Sequence, residues 1–386
     1  MRIALLTDGI WPFVIGGMQK HSFYLCKYLA RNKVYVDLYH TGKQIPKPDL
    51  STCFTMEELK YITSYVIPYQ QSDRLPGHYL RTSHQYSKVL YERFRTTPPV
   101  DLIYAKGLAG WYLLEQKKSG EKLPPVLLNV HGYEYYQKTA SFRNKLEQII
   151  LRPAFRNVST YSDYIYSYGG KITDIIRKNI PNASQKIIEI PTGIERDFIT
   201  DNMPGINFPR QFVYLGRFER RKGIHELHEA IGQLKKLYKF QFHFIGNIPE
   251  RYRVKSPEII YHGQLNNKEA IKAILDNADV LVCPSYAEGM PNVILEGMAC
   301  QCAIIATDVG AVAAQVNERN GWLIEPGSSS SLQQALMKAL EIPDQELLEK
   351  KKESVNRIRK EFLWDNIIFQ VLDSFNKVIE SSNGKA

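Results

Sequence analysis

"VLVCPSYAEGMPNVILEGMACQCAIIAT", residues 280–307, reads as one supersecondary unit. Val280–Pro284 is an apolar run without polar alternation, as in a strand buried on both faces. The loop Ser285–Asn292 follows, punctuated by Gly289 and Pro291. A helix of small and apolar residues opens near Asn292, and a second apolar run, Ala303–Thr307, comes after it. Strand, helix, strand is the unit from which parallel sheets with helices on both faces are built.

The same rhythm runs through the chain. In this half, further strands are predicted at Gln211–Leu215, Gln241–Ile245, Ile259–His262 and Gly321–Ile324. In the other half they fall at Ile3–Thr7, Val34–Tyr39, Leu102–Ala105 and Val126–Val130, with short ones around Val158–Tyr161 and Ile187–Ile190. A chain of 386 residues exceeds one ordinary core and suits two domains of roughly 150–200 residues. The expected class is therefore α/β, with one doubly wound domain over residues 1–200 and another over 208–365. The boundary falls in "RDFITDNMPGINFPRQ", residues 196–211, rich in Pro, Gly and Asn. The stretch "RKEFLWDNIIFQVLDSFNKVIE" reads as helix, with Phe362, Ile367, Val371, Leu372, Phe375 and Val378 on one face. Taken alone, that face implies only a helix that docks.

Charge is divided unevenly. Residues 1–196 hold 27 Lys+Arg against 16 Asp+Glu, and residues 197–386 hold 23 against 24, so the first half carries all of the +10 net charge. Such a half either has a merely basic surface or faces anionic lipid or an anionic acceptor. Nucleic acid is not expected as a partner, since no zinc-finger spacing, RNP-like aromatic motif or block of basic residues occurs. The five cysteines, Cys26, Cys53, Cys283, Cys300 and Cys302, are odd in number and form no CxxC pair. No signal peptide or apolar run of about 18 residues is present. A reduced, cytoplasmic protein fits this usage.

Four places carry chemistry. Gly16-Gly17 lie between the first strand and a helix, where positive φ, free N–H groups and the helix dipole make an anion site. A Gly pair before a helix is common, and no GxGxxG occurs. His131 follows the strand in "LLNVHGYEYY" at its carboxyl end, with Gly132 allowing a close turn. In "VYLGRFERRKGIHEL", Arg217 and Lys222 leave one strand end and can converge on a polyanion, whereas Arg220 and Arg221 read as a solvated basic turn. Finally, Glu288 and Glu296 flank the loop Gly289-Met290-Pro291-Asn292. Glu296, one turn into the helix, suits a vicinal diol, and Glu288 at the mouth reaches a different part of the same ligand.

"GRFERRKG" followed by "EGMPNVILEGMA", with the Gly pair before and "ATDVGA" after, resembles the retaining GT-B glycosyltransferases of the group 1 family. The resemblance runs from Gly16 to "FLWDNI", nearly the whole chain, and the spaced glutamate pair is its most specific part. It implies a GT-B fold, two Rossmann-like domains facing a cleft, with the last helix (about residues 366–386) crossing back to the first. It implies that Arg217 and Lys222 bind the diphosphate of a nucleotide-sugar donor, Glu296 the ribose and Glu288 the sugar. The backbone of Gly289, Met290, Pro291 and Asn292 holds phosphate or sugar hydroxyls, Gly16 and Gly17 face the diphosphate, and His131 lies at the sugar. The nucleotide sugar is substrate, and no cofactor or metal is expected, as no DxD occurs.

Two stretches depart from the family pattern, Gln301-Cys302-Ala303 and Ala311–Gln315, and they bear on the shape of the donor pocket. Rival readings are an epimerase or phosphorolytic relative, a non-catalytic sugar-nucleotide or glycan-binding protein, and a membrane-surface adaptor. The acceptor is expected to be a glycan or lipid-linked. Tyr133, Tyr135 and Tyr136 offer faces to a sugar. "SFRNKLEQIILRPAFRN" mixes Arg143, Lys145, Arg152 and Arg156 with Ile149, Ile150 and Leu151, either as an ordinary packed helix or as a patch for the membrane's inner face.

Overall fold

A computed structural model describes residues 1–42, 48–69, 77–202 and 205–384. Residues 203–204 of the expected boundary and 385–386 of the last helix lie outside the described residues. The first sheet comprises β1 (Arg2–Leu6), β2 (Tyr35–His40), β3 (Ile62–Val66), β4 (Leu102–Lys106), β5 (Val126–Asn129), β6 (Tyr164–Ser167) and β7 (Ile187–Glu189). Its order is β3-β2-β1-β4-β5-β6-β7. The second comprises β8 (Arg210–Leu215), β9 (Phe240–Ile245), β10 (Ile259–Gly263), β11 (Val280–Cys283), β12 (Ala303–Thr307) and β13 (Gly321–Ile324). Its order is β10-β9-β8-β11-β12-β13. The pairings are parallel throughout, so every connection is a crossover.

In each sheet the order reverses beside the first strand, between β1 and β4 and between β8 and β11. The loops leaving the two sides of such a point diverge and open a crevice at the carboxyl edge. All four candidate stretches leave strands at that edge.

Six helices matter for the site and its surroundings: α1 (Gly17–Arg31), α2 (Phe142–Tyr161), α3 (Ile224–Leu234), α4 (Asn292–Ala299), α5 (Asp344–Glu361) and α6 (Trp364–Asn383). Val158–Tyr161, expected as a strand, is the last turn of α2. Ala154, Phe155 and Val158 recur at helical spacing and are buried, so packing overrides the strand preference of a β-branched and aromatic tetrapeptide. The strand falls six residues later, at β6. Edge strand β3 was not expected; its residues are half-buried or exposed, and its polar centre, Thr63-Ser64, breaks any apolar run.

The C-terminal stretch is two helices, not one. Between α5 and α6 the chain pairs with the end of the first domain: Ile194 N–H donates to Phe362 O at 2.8 Å and Trp364 N–H to Ile194 O at 3.1 Å. Backbone committed to that bridge cannot continue a helical ladder. Phe362 therefore leaves the expected face and packs in a core cluster that runs from Leu128 and Val130 of the first sheet to Met290 and Ile294 of the second domain. Trp364, Ile367, Ile368, Val371, Phe375 and Val378 complete the other face of the first sheet, beside Ile3, Leu5 and Leu38, with Leu372 at its margin. The last helix thus belongs to the first domain's core, although it follows the second in sequence.

Candidate active site

From the first domain the site receives the N-terminus of α1. Gly16 has φ 167°, which is extended backbone, so the positive φ expected there is not what selects glycine. Space selects Gly17 instead: a Cβ on it would stand 3.3 Å from His131 Nε2. Lys20, on the first turn of α1, reaches across the cleft to form an ion pair with Glu296, whose carboxylate is nearly buried.

His131 lies two residues beyond β5 with φ 71°, a left-handed conformation that costs a non-glycine residue of order 1–3 kcal/mol and persists only where the surroundings enforce it. Behind it runs a buried chain of polar groups. Nδ1 lies 2.9 Å from the Tyr168 hydroxyl, which in turn is 3.4 Å from Asn129 Oδ1. That same oxygen accepts from Lys106 Nζ at 2.7 Å, and Lys106 also meets His21 Nδ1 at 3.1 Å. The Tyr168 hydroxyl donates to Asn129 Oδ1, and its contact with Nδ1 fixes the ring so that Nε2 faces the cleft. Burial, reinforced by the positive charge of Lys106, lowers His131 to about 3, and the imidazole is neutral.

The second domain contributes the turn after β8 and the loop after β11. Gly223, with φ 71°, closes the turn against β11: a Cβ there would lie 1.9 Å from Pro284 O, which excludes any side chain. This contact delivers Lys222 Nζ to Glu288 Oε1 at 2.5 Å, where Ser285 Oγ also donates at 2.7 Å. Burial alone would raise the Glu288 carboxyl. The charges of Lys222 and Arg221, with hydrogen bonds from Lys222 and Ser285, outweigh that and hold it below its ordinary value. Arg217 stands at the mouth, its side chain 65% exposed and paired with Glu219 at 3.0 Å. The structure therefore separates the two cations: Lys222 is engaged with the Glu288 carboxylate, and Arg217 pairs with Glu219 at the exposed mouth.

The domains touch backbone to backbone. A Cβ on Gly132 would stand 3.1 Å from Gly289 N, and one on Gly289 would stand 2.8 Å from His131 O. Gln137 clamps the contact, donating to both Gly132 O and Glu288 O at 2.6 Å.

Within the loop Gly289–Asn292 the roles divide. Met290 turns its side chain into the core, 1% exposed, with its sulfur 3.3 Å from Thr192 N. Pro291 has no N–H to offer a ligand; it precedes the first turn of α4, and its carbonyl accepts from Ile294 N–H at 3.1 Å and Gln315 Nε2 at 3.2 Å. Gly289 is buried against His131 and accepts from Ala311 N–H at 2.8 Å, so Asn292, half-buried at the start of α4, is the one of the four that is not buried. Gln301 and Gln315, in the two departing stretches, serve structure: Gln301 donates to Thr200 O at 2.5 Å and Asn202 O at 2.7 Å.

The basic turn is not solvated. Arg220 makes a two-pronged pair with Glu226 at 2.9 and 2.6 Å and lies over the Tyr286 ring. Arg221, against the penalty of burial, is held charged by Glu134, Glu288 and Glu219, and it reaches Glu134 of the first domain at 3.4 Å. Sequence reasoning missed Lys20, Arg221, Gln137 and the Lys106–Asn129–Tyr168 chain. Lys20 had a signal, lying three residues beyond Gly17 on the first turn of the helix. The others had none, because the contacts that give them their place span the chain, Lys106 and Asn129 at a separation of 23 and Gln137 and Glu288 at 151.

Comparison with known proteins agrees with this geometry. The model of the glycosyl transferases group 1 family matches residues 209–341, and that of glycosyltransferase family 4 matches 15–198. A putative teichuronic acid biosynthesis glycosyltransferase, TuaC of Bacillus subtilis, is 39% identical over 33% of the chain and 32% of its own length. The capsular polysaccharide biosynthesis glycosyltransferase CapM of Staphylococcus aureus is 27% identical over 45% and 47%. The chain thus spans a third to a half of the length of these curated relatives. Sucrose-phosphate synthase from Thermosynechococcus elongatus superposes with a TM-score of 0.79 at 20% identity, covering 98% of this chain and 99% of that one. Matched in both of its domains, and sharing their two-sheet architecture, the chain belongs to the group 1 family of GT-B glycosyltransferases.

Proposed function

We propose that the protein is a retaining glycosyltransferase that moves a sugar from a nucleoside-diphosphate sugar to a glycan or lipid-linked acceptor in polysaccharide biosynthesis. It works in the cytoplasm, peripheral to the inner face of the membrane. The observation that carries this reading is the pairing of Lys222 with Glu288 and of Lys20 with Glu296 within one cleft. Two carboxylates beside two ammonium groups suit a ligand that alternates polyol and phosphate.

In this reading Glu296 accepts from the ribose diol and Glu288 from sugar hydroxyls. Arg217 and Lys222 take the diphosphate, and the N-terminus of α1 faces it across the cleft. The bond from the anomeric carbon to the phosphate oxygen breaks, its electron pair leaves on the nucleoside diphosphate, and fixed cations meet that charge without a metal. The acceptor oxygen bonds to the same face, and its proton passes to the departing phosphate oxygen. His131 Nε2, on a neutral ring, lies at the sugar.

The test is incubation with UDP-, GDP- and ADP-sugars in EDTA, following release of the diphosphate and the anomeric proton of the first product by NMR. Release with the donor's configuration preserved supports the proposal. An inverted anomer, turnover that requires free phosphate, epimerised donor, or binding without release would each contradict it.

A further inference from the structure

Helix α2 has two faces with different surroundings. Leu151, Ala154, Phe155 and Val158 are buried against the first sheet. On the opposite side Phe142 is 75% exposed, Leu146 49%, Ile149 52% and Ile150 51%. At 3.6 residues per turn these four fall within an arc of about 100°, one continuous stripe. Arg143 lies along one edge, and Lys145 and Arg156 along the other, all exposed. Exposed apolar residues are ordinary when scattered, but a contiguous stripe on one helix marks a surface that is covered in use.

We infer that this outward face of α2 docks on an anionic lipid bilayer. An apolar stripe edged by cations is the pattern of a helix lying in the headgroup plane, where side chains enter the acyl boundary and Lys and Arg meet lipid phosphates. The excess positive charge of the chain lies in residues 1–196, the half that contains α2. No helix among the described residues is long and apolar enough to cross a membrane, so contact through this stripe is peripheral.

The inner edge of the same helix points to the site. Asn144, Gln148 and Leu151 line a groove with Tyr135, Glu134 and Arg221, which ends at Ala287, next to Glu288. One helix diameter, about 10 Å, therefore separates the docking stripe from a polar and aromatic groove that opens on the candidate donor site. Docking through α2 sets the sugar of a membrane-anchored acceptor in that groove. This second step rests on the transferase reading; the docking does not.

Co-sedimentation with vesicles of phosphatidylcholine, alone or mixed with phosphatidylglycerol, tests the inference. It compares the full chain with Phe142→Ser/Ile149→Ser/Ile150→Ser and with Lys145→Glu/Arg156→Glu, whose changed residues are exposed and leave the core intact. The native chain is expected to bind the anionic vesicles at least tenfold more tightly than the neutral ones, and to lose that preference near 1 M salt, where screening falls to about 3 Å. Each variant is expected to bind at least tenfold more weakly while keeping its nucleotide-induced thermal shift. Undiminished binding by both variants would overturn the inference, as would no binding by the native chain. So would a concentration-dependent dimer that the triple variant abolishes. Vesicle binding without any nucleotide shift would remove the transferase reading and leave the docking surface standing.

Discussion

His131 is the most constrained side chain of the cleft. Its left-handed backbone, its 2.9 Å contact with Tyr168 and its lowering to about 3 act together. The ring is neutral across the physiological range, with one nitrogen committed inward and the other facing Gly17. Its titration therefore contributes no break to the pH profile of kcat/KM between about pH 5 and 8, where an ordinary histidine would; a break removed by His131→Gln would contradict this. Tyr168→Phe removes the hydroxyl that fixes the ring and is expected to reduce kcat about tenfold, on the order of 1–1.5 kcal/mol for one hydrogen bond, with KM for the donor nearly unchanged. Arg217 makes the complementary case. Because it is exposed and, among the described residues, its side chain pairs with Glu219 at the surface, Arg217→Ala should leave Tm unmoved while lowering kcat by about 10²–10³, the range for one donor aimed at developing charge. Equal losses in Tm and kcat would assign Arg217 to structure.

At the scale of elements, the order of the chain hides how the fold closes. Helix α6 is last in sequence and yet supplies Trp364, 1% exposed, to the first domain, where it stacks on Tyr28 at 5.6 Å and meets His21 edge-on at 5.4 Å. Trp364→Ala is expected to cost about 3–5 kcal/mol, read by urea unfolding, and to lower nucleotide affinity only through stability. Stretches buried on both faces were legible in the sequence: β12 lies at the predicted residues and β11 ends one residue short of them, because each is a short continuous apolar run between turn residues. Val158–Tyr161 misled because its β-branched and aromatic residues favour a strand locally while the buried spacing of Ala154, Phe155 and Val158 is helical. The break at Phe362–Leu363 was illegible, since its cause is a backbone bridge to Ile194, far away in sequence. That Lys222 and Glu288 would meet was legible because both follow the carboxyl ends of adjacent strands, β8 and β11. Lys20 and Gln137 act only once the domains meet.

Across the whole molecule, buried neutral histidines set the response to acid. His21 lies well below its ordinary value, and His40 and His228 fall to about 4, in each case through burial first, as His131 falls to about 3. Between about pH 6.5 and 4 the unfolded chain takes up protons that the folded chain refuses, so stability falls as pH falls through that window. Thermal unfolding should show Tm dropping steadily from pH 7 to pH 5, above the range where carboxylates titrate; a flat Tm there would contradict the burial assigned to these rings. The cleft itself is closed by charge, through Lys20 with Glu296, Arg221 with Glu134, and Lys171 with Asp308. In the proposed reading a nucleoside diphosphate enters between these pairs and meets Arg217 and Lys222. The most direct measurement of that claim is a thermal-shift panel of UDP, GDP, ADP and their sugars, with and without EDTA, on the native chain and on Arg217→Ala. The account predicts a shift for one base that persists in EDTA and shrinks in the variant. No shift with any nucleotide, or one that EDTA abolishes, would contradict it.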